Sequence, residues 1–209
     1  GQLPWDENMS MVGPGDFKAQ FLKTFENVEM VLSAAGASLQ DVVKVRYYVT
    51  DQRFYPAHRD LRANVWPDRG PASAVMFVDA LAFTTGLIEV EVIAYTGKDK
   101  TVFEWSDDFD GKAKVAFSPA VQAEDILFLA GQVSLNEKQQ VVSFGDPEGQ
   151  TNAVLNNIDK VLHQTNTPRG DIFKLFNFIT THQLNFIFSI FIRGFSIFIR
   201  GVSQHIILH

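Results

Sequence analysis

The chain has 209 residues, of which 46% are hydrophobic and 20% charged, and it carries a formal net charge of −6. This length and composition are ordinary for a globular protein of one or two domains with a sizeable core. The acidic balance argues against a surface that binds nucleic acid, and we expect no such partner. The absence of cysteine excludes disulfides, thiolate metal sites and a cysteine nucleophile. The start of the chain lacks the pattern of a signal peptide, so we expect a cytoplasmic protein.

Hydrophobic spacing predicts a helix followed by a strand at the start of the chain. Between residues 17 and 35 the apolar side chains recur every three or four positions, and Asp16 and Gly36 are suitable residues to start and stop a helix. Residues 42–49 then place valine and tyrosine on one face and basic residues on the other. This alternation is typical of a strand.

The next segment predicts a second helix and two further strands. The helix covers 54–65, and the strands cover 75–81 and 87–95 with a Thr-Thr-Gly turn between them. His58 lies on the second helix, where a lone histidine is usually a surface residue, so we expect it at the surface.

A charged, glycine-containing stretch, 98–114, is predicted to be a linker to the second half of the chain. After it, apolar runs at 115–121 and 125–133 predict a hairpin, and 151–163 predicts another helix. The elements of the first half therefore begin to recur.

The recurrence is an internal repeat with one constant offset. Gly1-Gln2 returns 130 positions later as Gly131-Gln132, and no gap is needed up to Thr50 and Thr180. A match that keeps one register over this distance indicates a tandem duplication. The further matching pairs are Gly15-Asp16 with Gly145-Asp146, Gln20 with Gln150, Asn27 with Asn157, Val31-Leu32 with Val161-Leu162, Asp41 with Asp171, and Lys44 with Lys174.

Several short stretches occur in a characteristic order, although none is distinctive alone. They are Phe117-Ser118-Pro119-Ala120-Val121, Leu127-Phe128-Leu129-Ala130-Gly131-Gln132, the helix that bears Gln150 and Asn157, Asp41-Val42-Val43-Lys44 running into Tyr48-Val49-Thr50-Asp51, Pro71-Ala72, and Ile88-Glu89-Val90-Glu91-Val92-Ile93-Ala94. This ordered set resembles the Rid/YjgF family of proteins that handle imines and enamines.

The resemblance implies an α+β fold of the chorismate-mutase-like type, with a mixed sheet and two helices on one face, here in two tandem copies. Such units usually assemble as trimers around a central barrel and leave ligand clefts between neighbouring units, so we expect self-association. We expect a first unit at 1–97 that lacks its opening hairpin, a truncated second unit at 115–180, and a tail at 181–209.

The resemblance also implies a chemistry that needs few groups and no metal or organic cofactor. Family members that hydrolyse 2-imino acids hold the substrate carboxylate with an arginine of a Pro-Ala-Arg motif, whose planar fork suits two oxygens. A carboxylate in the last strand, here Glu89, positions water or shuttles a proton. Glu89 is therefore the candidate catalytic residue, and the alternative is a polar lining of the barrel.

The candidate substrate-binding positions depart from the family pattern. Ser73 stands where the arginine is expected, Ala130 replaces a serine, and Phe117 replaces a tyrosine. Each change removes a charge or a hydroxyl group. Gly131 is retained and is expected to contact the ligand, unless it serves only the backbone geometry of a strand end. Arg69, four residues before Ser73, is an alternative source of a guanidinium group.

The tail is unlike the family. Residues 188–194 read Phe-Ser-Ile-Phe-Ile-Arg-Gly, and 195–201 repeat them letter for letter. Arginines and glycines interrupt the apolar runs before they reach the ~20 residues of a membrane span, so we expect no membrane partner. We interpret this stretch as an atypical tail, such as the product of a shifted reading frame, and not as the sheet strands that the second unit lacks.

Two functional hypotheses remain open at this stage. In the first, the protein is a deaminase-like hydrolase of small 2-imino acids whose activity suffers from the loss of the arginine at Ser73. In the alternative, it is a non-catalytic module that binds a small molecule in the same inter-unit cleft. A degenerate copy without a preserved function is a third interpretation.

Overall fold

The structure is a computed structural model that describes residues 1–106, 115–178 and 193–200, the last range as a backbone path. Three helices are α1 (Phe17–Ala34), α2 (Tyr55–Val65) and α3 (Pro147–Gln164). The strands are β1 (Val42–Val49), β2 (Ala72–Phe77), β3 (Ile88–Ala94), β4 (Lys100–Val102), β5 (Ala120–Ala123), β6 (Ile126–Leu129), β7 (Ile172–Phe178) and β8 (Arg193–Arg200).

The first unit is a three-stranded mixed sheet in the order β2-β1-β3, with β2 parallel and β3 antiparallel to β1. Both helices lie on one face of it, because Phe21 of α1 and His58 of α2 both contact the ring of Tyr47 on β1. The core on this face is built from Phe21, Phe25, Val45 and Tyr47, all buried. The predicted α+β unit with two helices on one face is thus confirmed.

β2 differs from its predicted range at both ends. β2 begins at Ala72, earlier than the predicted 75–81, because it pairs in parallel with β1 from Lys44 onward. It ends at Phe77, whose partner Val49 is the last residue of β1. The register of the neighbouring strand, which a local apolar run does not reveal, therefore sets both ends of β2.

The second unit contributes a five-stranded sheet in the order β4-β5-β6-β8-β7. Its first strand, β4, lies within the stretch predicted as a linker and pairs antiparallel with β5 from Lys100↔Ala123 to Val102↔Val121. The predicted hairpin is present as β5 and β6. α3 covers this sheet with Val154, Ile158 and Leu162, which pack against Leu127 and Leu129.

The duplication is confirmed at the level of single residues. α3 begins and ends 130 positions after α1, and the helix caps Asp16 and Asp146 each accept a hydrogen bond from the amide three residues on, at 3.0 Å. The amide of Asn27 donates to the carbonyls of Leu3 and Trp5, and that of Asn157 donates to Val133 and Leu135, again 130 positions later. The match runs to Phe178; Thr180 lies outside the described residues.

The end of the helix is as compact in the second unit as in the first. Gly36 has φ +73°, and the equivalent Asn166 has φ 53°. Asparagine adopts this left-handed conformation more readily than most residues, so it replaces the glycine in the same turn. Pro168 and Gly170 in the second unit do not disturb this end, since both units continue into a short 3₁₀ turn.

The strand β8 occupies in the second sheet the place that β3 occupies in the first. β3 lies antiparallel beside β1, and β8 lies antiparallel beside β7, with an irregularity in the pairing at Val42/Lys44 and again at the equivalent Ile172/Lys174. Arg193–Arg200 thus pairs with β6 and β7, although it lies in the stretch interpreted as an atypical tail, and that interpretation stays a prediction. The remaining tail residues, 179–192 and 201–209, lie outside the described part.

The two units pack against each other through the sheet face that carries no helices. Arg46 on β1 lies over the ring of Phe176 on β7 at 4.5 Å, and these two residues occupy equivalent positions in the repeat. Lys44 is buried in the same interface and donates to the carbonyl of Leu129 on β6 at 2.5 Å. Arg46 also binds both carboxylate oxygens of Glu91 at 2.9 Å, which neutralises its buried charge.

Candidate functional site

A cleft of about 880 Å³ lies where the two units meet. One wall is formed by α2 and β2 of the first unit. The other is formed by the segment from Val115 to Gln139 and by one face of α3, both from the second unit. Both copies of the unit therefore contribute residues to this cleft.

Ser73 and Gly131 meet directly across the cleft. Ser73 is the second residue of β2, and its carbonyl accepts a hydrogen bond from the amide of Gly131 at 2.8 Å. Ser118, close by in the second unit, donates its hydroxyl to the carbonyl of Gly70 at 2.8 Å. These backbone-directed bonds fix the separation between the two walls.

Phe117 lies in the same cleft, whereas Ala130 lies behind it. The ring of Phe117 meets Trp105 edge to face at 5.4 Å, and its carbonyl accepts from the Trp105 indole at 3.0 Å. Ala130 is fully buried, and its amide donates to the carbonyl of Pro119 at 2.8 Å. Of the four predicted binding residues, Ser73, Phe117 and Gly131 line the cleft, while Ala130 supports the wall.

A guanidinium group is present beside Ser73, although β2 does not supply it. Arg62 reaches from α2, and its Nη1 lies 3.4 Å from the hydroxyl oxygen of Ser73. The guanidinium carbon lies 4.7 Å from the centre of the Phe117 ring. Arg62 is only 3% exposed, and among the described residues its Nε has no hydrogen-bond partner. Burial lowers the pKa of Arg62 without bringing deprotonation near neutral pH.

Two further buried polar side chains lie behind Arg62. The rings of Tyr47 and His58 meet edge to face at 4.4 Å, and within the described residues neither ring nitrogen of His58 has a partner. Burial, helped by the positive charge of Arg62, lowers the pKa of His58 to about 3. His58 is therefore neutral at physiological pH. The expectation that it lies at the surface is wrong, because it is completely buried.

Arg69, the alternative source of a guanidinium group, is not one of the residues that line the cleft. It pairs with Glu104 and is about half exposed. Sequence reasoning missed Arg62, although its position offered a signal. Tyr55, His58 and Arg62 follow one another at spacings of three and four, so they share one face of α2. An inward-facing arginine on a helix that covers a sheet is unusual enough to mark a site.

Glu89 lies on the other face of the first sheet. Ser73 pairs with Val45, which faces the helices. Glu89 pairs with Tyr48, which follows the helix-facing Tyr47 and therefore lies on the opposite face. Glu89 lines a separate hollow of about 290 Å³ with Gly1 and Tyr48. The structure therefore does not bring Glu89 together with Ser73.

In the second sheet, the strand position of Glu89 is occupied by an arginine. Tyr48 pairs with Glu89 in the first sheet, and the equivalent Phe178 pairs with Arg193 in the second. An irregularity between Phe176 and Phe178 sets this register. The backbone register thus gives the last strand of the second unit no carboxylate at this point.

The remaining acidic residues of the cleft are engaged by nearby cations. Glu137 pairs with Lys160, and Asp159 pairs with Arg169. Among the described residues, no group of three or more His, Asp or Glu side chains could hold a metal ion. The cleft is thus an aromatic and amide-lined recess with one buried cation, Arg62, at its wall.

The comparisons with known proteins agree with the two-unit fold. The family model described as endoribonuclease L-PSP matches residues 1–96 and again 110–186. A RutC family protein of Pyrococcus horikoshii is 36% identical over 95 residues, which cover 46% of this chain and 75% of that protein. The 3-aminoacrylate deaminase RutC of Acinetobacter baylyi is also 36% identical over 95 residues, with the same shares of 46% and 75%.

Solved structures give partial matches of the same extent. RidA from an Antarctic Psychrobacter is 36% identical and aligns with 46% of this chain and 76% of its own, at a TM-score of 0.43. A putative endoribonuclease of Thermotoga maritima is 30% identical, with shares of 46% and 76% and a TM-score of 0.43. Because the family model matches most of the sequence in two successive segments, the chain belongs to the Rid/YjgF family and carries two tandem units of it.

Proposed function

We propose that this protein binds a small 2-imino, 2-enamino or 2-oxo acid in the cleft between its two units and hydrolyses imines there slowly or not at all. The observation that carries the proposal is the separation of the site residues. Ser73, Phe117 and Gly131 line one cleft, whereas Glu89 lies in another hollow on the opposite face of the sheet. The cleft can thus accommodate a ligand, but it does not contain Glu89, the candidate catalytic carboxylate.

The ligand class is supported by the family and by one relative. The Acinetobacter relative is named a 3-aminoacrylate deaminase, so its substrate is a small enamine that carries a carboxylate. An enamine of this kind, its imine tautomer and the 2-oxo acid product share a planar carboxylate next to an sp² carbon. A recess lined by Phe117, Trp105 and Tyr55 suits a flat ligand of this kind.

Weak turnover follows from the chemistry that the cleft lacks. Hydrolysis of an imine needs a group that positions water and moves a proton. Glu137 and Asp159, the acidic residues in the described lining, are each paired with a cation. The hydrogen bond from Lys160 lowers the pKa of Glu137, which makes that carboxylate a weaker base.

The experiment measures binding and turnover on the same preparation. Thermal unfolding with 2-oxobutanoate should show a rise in melting temperature that increases with ligand concentration. Imines generated in situ by an amino-acid oxidase should release their 2-oxo acid little faster than in buffer alone. Robust turnover that Glu89→Gln leaves unchanged would overturn the non-catalytic assignment of the cleft, and the absence of any ligand effect would overturn the binding function.

An active deaminase is the second candidate, and the retention of Glu89 beside Tyr48 favours it. The hollow at Glu89 would then be half of a catalytic site, with the other half supplied by a second copy of the chain. In that case turnover should depend on protein concentration and should disappear in Glu89→Gln. Turnover per chain that stays constant across dilution would contradict this candidate.

Self-association is part of the same proposal. Within the described part of the chain, no strand pairs with the outer edge of β7, whereas β2 pairs with the equivalent edge of β1. Phe173 and Leu175 on β7 are 50% and 39% exposed. An open edge with apolar side chains favours pairing with another chain. Sedimentation velocity should detect species larger than one chain, and a single species of 23.4 kDa would contradict this expectation.

Other partners and the location follow from charge and hydropathy. The net charge of −6 argues against RNA as a substrate, in spite of the name of the family model. No helix within the described residues is long and apolar enough to cross a membrane. A cytoplasmic location remains a prediction, and fractionation of cells that express the tagged protein tests it.

A further inference from the structure

We propose that Arg62 is the carboxylate anchor of the inter-unit cleft and that it takes over, from helix α2, the role of the arginine missing at Ser73. This inference rests on the proposed binding function and specifies the residue that selects the ligand. It concerns a side chain outside the strand motif by which the family was recognised. Three features carry it: the burial of Arg62, its place beside Ser73, and its contact with Phe117.

The burial of Arg62 is unusual because no anion accompanies it. Arg62 is 3% exposed, and no carboxylate of the described residues pairs with it. Its Nε also lacks a partner within that part of the chain. Buried charges in proteins are normally paired or bound to a ligand of opposite charge, since an unpaired one is costly to desolvate. Arg46, the other buried arginine of the first unit, follows this rule through Glu91.

The position of Arg62 fits that of a displaced anchor. Its Nη1 lies 3.4 Å from the hydroxyl oxygen of Ser73, so the guanidinium group occupies space next to the residue where the family has arginine. A second arginine at position 73 would bring two cations together in a buried site. The small side chain of Ser73 is therefore what allows Arg62 to occupy this wall.

The contact with Phe117 orients the anchor. The guanidinium carbon lies 4.7 Å from the centre of the ring, which stabilises the cation without neutralising it. A tyrosine is expected at this position in the family, and the phenyl ring keeps the aromatic face. The N–H groups of Arg62 that Ser73 does not use remain to donate to two oxygens of a planar carboxylate.

The groups behind Arg62 do not compete for the ligand. They include the ring of His58, which meets the rings of Tyr47 and Tyr55. His58 is uncharged at neutral pH because burial disfavours its cation, and burial raises the pKa of Tyr47. Arg62 is thus the charged group that faces the ligand from this wall. One buried guanidinium group and an aromatic lining favour a small monocarboxylate as the ligand.

The test compares three substitutions in the full chain, with 2-oxobutanoate as the probe and isothermal calorimetry as the readout. Arg62→Gln should weaken binding about ten- to a hundredfold, because a charge-assisted hydrogen bond to the carboxylate is lost. Arg62→Lys keeps the positive charge but loses the planar guanidinium group, so its affinity for 2-oxobutanoate should lie between those of wild type and Arg62→Gln. Arg69→Gln, which removes a half-exposed arginine of the same unit, should leave binding unchanged.

Folding is checked independently, because Arg62 is buried. Circular dichroism and the melting temperature without ligand report whether each variant is folded. If Arg62→Gln does not fold, the comparison of wild type with Arg62→Lys carries the test. Unchanged affinity in a folded Arg62→Gln variant, or in Arg62→Lys where only that variant folds, would overturn the inference.

The outcomes separate this inference from the proposed function. If the wild type binds 2-oxobutanoate and Arg62→Gln binds equally well, the binding function stands and Arg62 is not the anchor. If the wild type binds inorganic phosphate but not 2-oxobutanoate, and only through Arg62, the cation site stands and the carboxylate ligand is wrong. If neither probe binds, both proposals are overturned.

Discussion

Gln20 and Gln150 occupy equivalent positions on α1 and α3, and both are fully buried, yet only the first has its hydrogen bonds satisfied. The Gln20 amide nitrogen donates to Gly13 at 3.2 Å and to Thr85 at 2.8 Å, and its oxygen accepts from the Leu87 amide at 2.7 Å. Within the described residues, neither the nitrogen nor the oxygen of the Gln150 amide has a partner. No described segment of the second unit takes the place of the turn before β3.

This difference predicts opposite effects of one substitution in the two units. Gln20→Leu leaves buried backbone groups of Gly13, Thr85 and Leu87 without partners and should lower the free energy of unfolding by at least about 2 kcal/mol. Gln150→Leu removes an unsatisfied buried amide and should be neutral or stabilising. Urea denaturation of the two variants measures both values. An equal loss of stability in both would show that the Gln150 amide is bonded in solution.

The packing of the units predicts a steric effect at Gly70. A Cβ atom at this residue would lie 2.4 Å from the carbonyl oxygen of Ala116 in the second unit, whereas Gly170 has nothing within 4 Å. Gly70→Ala should therefore destabilise the protein by about 1–3 kcal/mol, and it should also disturb the cleft, because Ser118 bonds to the Gly70 carbonyl. Gly170→Ala is the matched control and should change little. The melting temperatures compare them, and equal values would contradict the described contact.

Lys44 predicts how stability changes at alkaline pH. Burial between the units, with repulsion from Arg46, lowers its pKa to about 7, although Glu91 opposes this effect. The unfolded chain, with a lysine pKa of about 10.4, binds more protons between these values, so stability should rise as the pH increases from about 7 to about 10. The gain is on the order of a few kcal/mol.

Lys44→Met isolates this contribution, because it retains the length of the side chain and cannot titrate. The difference in unfolding free energy between wild type and Lys44→Met should shift in favour of wild type as the pH rises through this range. Subtracting the variant cancels the opposing effect of Tyr47, whose pKa is raised by burial. A difference that does not change with pH would mean that water reaches Lys44 in the folded protein and that its pKa is not lowered there.

An exchange of side chains between Arg62 and Ser73 tests whether the anchor has moved. Ser73→Arg alone should weaken binding of 2-oxobutanoate, because a second cation enters the space beside Arg62. Ser73→Arg combined with Arg62→Ser should bind more tightly than either single variant, since one guanidinium group is restored to the cleft. Calorimetry on the four proteins completes the cycle. Additive losses would contradict a shared role for the two positions.

The sequence predicted those parts of the fold that depend on local patterns. α1 and β1 were predicted almost to the residue because their apolar spacing is strong. α3 was predicted at 151–163 and begins earlier, at Pro147, where Asp146 caps it as Asp16 caps α1. The start of β2 depends on its register with β1, which no local pattern contains. β8 was missed because its place in the sheet depends on β6 and β7 and not on its own composition.

The site was predicted less completely, for a related reason. The strand motif located Ser73, and the hairpin located Phe117 and Gly131. Which residues share a cleft depends on the faces of the sheet and on the contact between units. Glu89 was therefore placed with Ser73 although the two lie on opposite faces. Arg62 was overlooked because a basic residue on a helix is usually exposed.

The position of the ligand can be determined from a crystal structure of the protein with 2-oxobutanoate. We expect the ligand in the cleft between the units, with its carboxylate within hydrogen-bond distance of the Arg62 guanidinium group and its carbon skeleton against Phe117. A ligand bound in the hollow beside Glu89, or in the cleft without contact to Arg62, would show that Arg62 is not the anchor.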